Sequence, residues 1–454
     1  MKSFAKNSLV AVAALVGSGS AAMAAPLLSI GDSVDVFFNG STNVQWRSNL
    51  FYTDGVDNID QNTARAVFGL PVIAPNISRP KVDAFVFYVS PGVEVSVGRN
   101  SNANITLYYR QDFLFYNRFS DDLNTSLANL YLDGNYNWGN LETSAGFSFV
   151  QTQQNTPQTN GFNFVANLVE TDRYDAYIDA DYDISPKAWV SAGFEWNRVD
   201  YTNNDDFFNR YADTDTYQAP VSFFWRVTPK LSVGPSFRFR YTDPSSTGGF
   251  LIPGTATPTA TISSSDYFDY FFNLAVTGEV MPKLSLSLNL GYQFRDTGRD
   301  RVTTPAFGVP VSRNQGQRHQ FAALFNAEYE VTPKLITFVN FAHDFGNGAE
   351  GQTTTNLGGD VGAIYNINSY LTANTQFGME LTDYQNSAGR EDITTTTSVA
   401  LNYSPDIYWQ FSLGYYYINN NSSVNSYATP VGFSDNSGAS FNAHTVNLQA
   451  ALRY

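Results

Sequence analysis

No cysteine occurs anywhere in the 454 residues, and histidine occurs only three times. The first absence removes disulfide frameworks, thiol nucleophiles and thiolate zinc sites together. The sparse histidines, His319, His343 and His444, are far apart in sequence. Separation alone does not exclude a catalytic pair, but no residue is marked as a nucleophile, and the chain is read as non-enzymatic. No glycine-rich phosphate loop followed by Lys-Ser or Lys-Thr is present. The aspartates between 175 and 183 are spaced two apart, which does not match the ligand spacing of an EF-hand loop. No catalytic residue, metal or cofactor is therefore assigned. Basic residues are few, 26 against 41 acidic, and the net charge of −15 argues against nucleic-acid binding, which requires cationic neutralisation of phosphates.

Long apolar runs are also missing. The only one, Leu9 to Val16, follows Lys2 and Lys6 and precedes Ala22-Met23-Ala24. It is well short of the roughly 20 residues a spanning helix needs. A basic start, a short apolar middle and small residues at spacing two predict a secretory signal peptide over 1–24. Its removal leaves 25–454 as the mature chain and takes the net charge to −17, through loss of Lys2 and Lys6.

What is abundant is aromatic residues, 15 % of the total and mostly Phe and Tyr, which favour strands. They recur with period two. Leu284 to Arg295 places aliphatic and aromatic residues at even positions and Ser, Asn, Gly, Gln and Arg at odd ones. The segments 141–149, 174–183, 236–241 and 409–417 alternate likewise. Successive strand side chains point to opposite faces. The pattern fits a soluble sandwich with one solvated face or a barrel with lipid outside and water inside.

The connections separate these readings. Short turns recur as Ser185-Pro186-Lys187, Thr228-Pro229-Lys230, Met281-Pro282-Lys283 and Thr332-Pro333-Lys334, with Ser404-Pro405-Asp406 as a variant. Proline suits a turn corner because its φ is fixed. Between successive turns lie longer polar connections such as 243–264, 296–315 and 420–440. Short turns on one rim and long loops on the other predict an all-β fold, a transmembrane antiparallel up-and-down β-barrel. About 18 strands are marked, with 16 as the alternative. Lys81 falls near the long-loop rim, unlike the other lysines of the mature chain, which raises the alternative that the first hairpin is misread. The long connection 47–81 carries Phe68, Leu70, Val72 and Ile73. It is expected either to fold inward as a constriction or to cap the pore from outside.

The last strand alternates Val446, Leu448, Ala450 and Leu452 and ends on Tyr454. It resembles the C-terminal insertion signal read by the outer-membrane assembly machinery, and it must present one apolar face and an unpaired edge until closure. The segments Leu28 to Gly40, Ser90 to Val95 and Ala103 to Arg110 resemble the beta-barrel porin family, second type. That resemblance implies an outer-membrane location among lipids and lipopolysaccharide, and a porin function. Some members are similar to barrels associated with exopolysaccharide export.

With apolar faces toward lipid, the expected pore-lining residues are Arg110, Asp112, Glu142, Asp175, Asp179, Asp181, Asp183, Glu195, Arg226, Arg238, Arg240, Arg295, Glu328 and Glu330. A barrel this wide encloses an aqueous channel unless plugged, and rings of charge bias entry. These groups either select solutes or merely keep the interior wet and tie the wall together. Passive diffusion of small hydrophilic solutes is the leading expectation. Exopolysaccharide export or attachment, and a structural or adhesive surface barrel, are the alternatives.

Overall fold

The computed structural model describes residues 26–31, 33–53, 55, 81–98, 101–157, 168–202, 211–245, 261–262, 266–297, 299–303, 311–314, 317–349, 351, 353–384, 390–423, 427–428, 434–435 and 440–454. The expected signal peptide and the apolar residues of the 47–81 connection lie outside them.

Eighteen long antiparallel strands form the wall. They are β1 (Val34–Arg47), β2 (Ala84–Val97), β3 (Ala103–Tyr116), β4 (Thr125–Trp138), β5 (Leu141–Gln153) and β6 (Glu170–Ser185). Next come β7 (Ala188–Tyr201), β8 (Thr214–Thr228), β9 (Leu231–Pro244), β10 (Tyr267–Met281), β11 (Leu284–Thr297) and β12 (Gln317–Thr332). The series ends with β13 (Leu335–Asn347), β14 (Thr353–Asn366), β15 (Leu371–Tyr384), β16 (Glu391–Tyr403), β17 (Trp409–Ser422) and β18 (Phe441–Arg453). Each pairs with its sequence neighbour, and β18 pairs with β1 from Asn39↔Arg453 to Arg47↔Thr445, which closes the cylinder. A three-residue strand, Leu28–Ile30, adds to the side of β1.

The even strand number puts both ends of the barrel on one rim. That rim carries the Pro-Lys turns, and the Gly139-Asn140 turn between β4 and β5 joins them. Lys81 sits on the opposite rim, where its Nζ reaches Asn442 Oδ1 at 3.1 Å. The first hairpin is therefore read correctly, and Lys81 is a true exception to the lysine-marked rim.

Alternation fixes which face meets what. Val93, Phe194, Phe272, Phe321, Phe377 and Leu448 all stand outward and well exposed, on strands spread around the circumference. A water-soluble chain rarely exposes so continuous an apolar surface. Their neighbours Gly92, Glu195, Asn273, Gln320, Gln376 and Asn447 lie on the inner face. Outward apolar and inward polar residues, on strands paired with both neighbours around the whole ring, meet the demands of a hydrocarbon surround.

Candidate functional site: the lumen and its long-loop mouth

Strand register assembles an inner girdle that no single segment reveals. Thr106, Asp133, Gly146, Tyr177, Glu195, Gln218, Arg240, Asp269, Arg295 and Arg318 are successive Cα partners from β3 to β12. Members of this row bond to one another. The Tyr177 hydroxyl donates to Asp133, and the Gln218 amide donates to Glu195. Gly146 lies between the first pair, and a Cβ there would press on the Tyr177 ring.

The girdle's centre is a salt-bridge cluster. Arg295 Nε and Nη2 donate to the two oxygens of Asp269 at 2.6 and 2.8 Å, and both side chains are 0 % exposed. Arg240 Nε donates to Asp269 Oδ2 at 2.8 Å. Arg295 stacks over Tyr267 at 4.1 Å, and Arg238 over Phe271 at 3.7 Å. Charge-assisted forks of this kind are short and directional.

A second carboxylate comes from outside the local wall. The pairing of β12 with β13 runs from Thr332↔Leu335 up to Ala323↔His343 and stops there. Above His343, β13 stays paired with β14 as far as Asn347↔Thr353, and the two lean inward together. Asp344 thereby meets Arg238 Nη2 at 3.0 Å and Arg240 Nη1 and Nη2 at 3.3 and 3.2 Å. Arg240 Nη2 also donates to the Phe345 carbonyl (2.8 Å), and Arg295 Nη1 to that of Gly346 (3.0 Å). These arginines belong to β9 and β11, so the hairpin has crossed the inside of β12.

Its tip goes further. Ala349 accepts from Ala212 N at 2.8 Å, five strands away, and packs with Val169 and Tyr211. Other connections join from their own sides. Asn155 Nδ2 donates to the Phe51 carbonyl (2.8 Å), and Asn155 Oδ1 accepts from Val169 N (3.0 Å). Leu50 and Phe51 turn inward onto Ala84, Val86, Leu114 and Tyr116 of the inner face, with Leu123 and Leu168. Arg390, just before β16, donates to the carbonyl of Pro157, beyond β5, at 3.2 Å. Those strands are seven steps apart around an eighteen-strand ring, so this contact spans most of the mouth. The start of the 47–81 connection thus folds into the lumen. Beside this mouth, burial raises the Asp213 carboxyl above its ordinary value, partly offset by the hydrogen bond from Tyr201 N.

The fourteen residues expected inside alternate with the outward apolar ones on their strands, but they are not brought together in one site. Arg110 pairs with Asp112 at 2.9 Å and is remote from the cluster. Arg226 pairs with Asp183 and donates to Ser185 and Pro186 carbonyls near the short-turn rim. Asp175 accepts from Asn197 and Arg173. Glu328 and Glu330 lie toward the short turns, and Lys283 is 3.9 Å from Glu330. The arginines of β9 are not free to set up a field against the acids of β6, because Arg238 and Arg240 already hold Asp344 and Asp269. Nothing in the sequence pattern marks Asp133, Asp269, Asp344, Tyr177 or Gln218, because their importance depends on register and on the inward lean. The three histidines lie on the outer face. His319 packs on Tyr292 and Phe294, and His444 Nδ1 meets the Tyr415 hydroxyl at 2.8 Å. Among the described residues no group of three or more His, Asp or Glu is arranged to hold a metal ion.

An apolar outer band, a polar lumen, short turns on one rim and long connections on the other now stand together. The chain is a transmembrane antiparallel β-barrel. A family model described as "Putative MetA-pathway of phenol degradation" matches residues 245–390, from just beyond β9 to just before β16. This match does not include the three segments that resemble the second-type porins. No curated protein matches the sequence. Among solved structures, the outer-membrane protein OpdK of Pseudomonas aeruginosa is 12 % identical with a TM-score of 0.41, over 92 % of this chain and 99 % of its own. The ferric-catecholate import receptor Fiu of E. coli K12 is 9 % identical with a TM-score of 0.43, over 95 % and 82 %. OmpT of Vibrio cholerae is 12 % identical with a TM-score of 0.34, over 94 % and 100 %.

Proposed function

We propose that the barrel is a non-enzymatic channel for passive diffusion of small hydrophilic solutes. In this reading the chain is exported by its N-terminal signal, inserted by the assembly machinery through its last strand, and surrounded by outer-membrane lipids and lipopolysaccharide. The fourteen inner-face residues named above then line the path. One observation carries the reading: a polar inner face within a wall of eighteen strands, crossed near the long-loop mouth by chain segments that meet in the lumen. Eighteen strands at about 4.8 Å spacing, tilted as barrels require, enclose a bore on the order of 30 Å across. The crossing segments narrow this bore to passages suited to small solutes, and the same crossings count against a conduit for exopolysaccharide.

Liposome swelling with the refolded chain tests this. Arabinose is expected to drive swelling and the tetrasaccharide stachyose is not, and planar bilayers in KCl are expected to show discrete conductance steps. Absence of both steps and swelling would remove the channel reading. Entry of long maltodextrins would favour the polysaccharide alternative.

A further inference from the structure

The arginine cluster holds two carboxylates of different standing. Asp269 belongs to β10, is 0 % exposed, and is gripped by Arg240 and Arg295. Asp344 arrives on a hairpin that has left its place beside β12, and its side chain keeps 32 % exposure. The two arginines it meets are also reachable from the lumen, Arg238 at 23 % and Arg240 at 14 %.

We propose that Arg238 and Arg240 form a binding site for the carboxylate of a passing solute, occupied at rest by Asp344, so that a solute carboxylate frees the hairpin. This deepens the channel reading above and rests on it. The geometry is already that of carboxylate recognition. Arg240 presents two nitrogens to the two oxygens of Asp344 side by side, and Arg238 adds a third contact. Planar guanidinium forks match carboxylates in this way, where an ammonium would not. Stacking of Arg238 on Phe271 holds its plane in place without the ligand.

The exchange is also electrically even. One carboxylate leaves and one arrives, so three arginines never lose a counterion, and Asp269 keeps the site assembled throughout. What opposes exchange is the hairpin's remaining hold, which includes two arginine-to-carbonyl bonds, the stacking of Arg295 on Phe345, and the contacts of Ala349 with Ala212, Val169 and Tyr211. A tethered group acts as if present at millimolar concentration, so free carboxylates are expected to compete at roughly 10 mM and above.

The full chain with Ala212→Cys and Ala349→Cys reports hairpin position, since the chain has no cysteine of its own. Oxidative cross-linking of this pair is expected to slow severalfold in sodium acetate relative to sodium chloride of equal ionic strength. Adding Arg238→Gln, which spares the Asp269 clamp, is expected to abolish the difference. Asp344→Asn is expected to slow cross-linking in both salts alike. An acetate effect no larger than that of chloride, or one that survives both Arg238→Gln and Arg240→Gln, overturns the site. Conductance in KCl separates the two claims. If no steps appear while the acetate effect persists, the channel reading fails and the carboxylate site stands.

Discussion

At the scale of single residues, burial decides which charges matter. Asp269 and Arg295 are fully removed from solvent, and Arg295 shares Asp269 with Arg240. Replacing one member of such a group strands the others, because a buried charge without its counterion costs about 3–5 kcal/mol. Asp269→Asn is therefore expected to lower the unfolding free energy of the detergent-solubilised barrel, read from the urea midpoint and slope, by an amount in that range. Arg198, paired with Asp200 and Asp215, is 42 % exposed on the outer face, and its removal is expected to cost about 0–1 kcal/mol. Equal midpoints for the two variants would show that water reaches Asp269. Alternation in the sequence identifies Arg240 and Arg295 as inward but passes over Asp269. The reason is local: Tyr267-Phe268-Asp269-Tyr270-Phe271-Phe272 is aromatic on both faces, so period two gives no orientation there.

At the scale of elements, the same Pro-Lys sequence closes turns of different conformation. Lys283, between β10 and β11, has φ 71°, a left-handed conformation that costs a residue bearing a Cβ roughly 1–2 kcal/mol. Among the described residues Lys187, Lys230 and Lys334 do not share it. Lys283→Gly is expected to stabilise the barrel by about 1 kcal/mol, less whatever the exposed contact with Glu330 supplies. The same change at Lys230 or Lys334 is expected to destabilise, because glycine there only adds freedom to the unfolded chain. Unfolding midpoints of the three variants decide it. All eighteen strands are legible in advance for a related reason. Each is long, faces two different solvents, and is bounded by turn residues whose chemistry is local. The inward lean of β13 and β14 is not legible. Asp344 to Asn347 continue the strand pattern, and only partners on β9 and β11, about a hundred residues earlier in part, draw them off the wall.

At the scale of the whole molecule, charge is distributed unevenly around the lumen. The inner face of β4 to β7 carries Asp133, Glu142, Asp175, Asp179, Asp181, Asp183 and Glu195, opposed within that stretch by Arg173. The arginine-rich sector on β9 to β12 is largely neutralised by Asp269 and Asp344. A low-dielectric wall focuses the resulting negative potential into the water it encloses. Small ions passing through are therefore expected to favour cations, even though one sector holds carboxylates. Screening limits this preference: at about 0.1 M salt the Debye length is roughly 10 Å, and at 1 M about 3 Å, both short against the bore. The zero-current potential across a KCl gradient is thus expected to show cation preference at low salt and to fade as both sides are raised. Asp179→Asn combined with Asp181→Asn is expected to weaken it at low salt without changing the high-salt value. A potential of anion-selective sign at low salt would mean that the arginine sector, not the acids of β4 to β7, governs the narrowest passage.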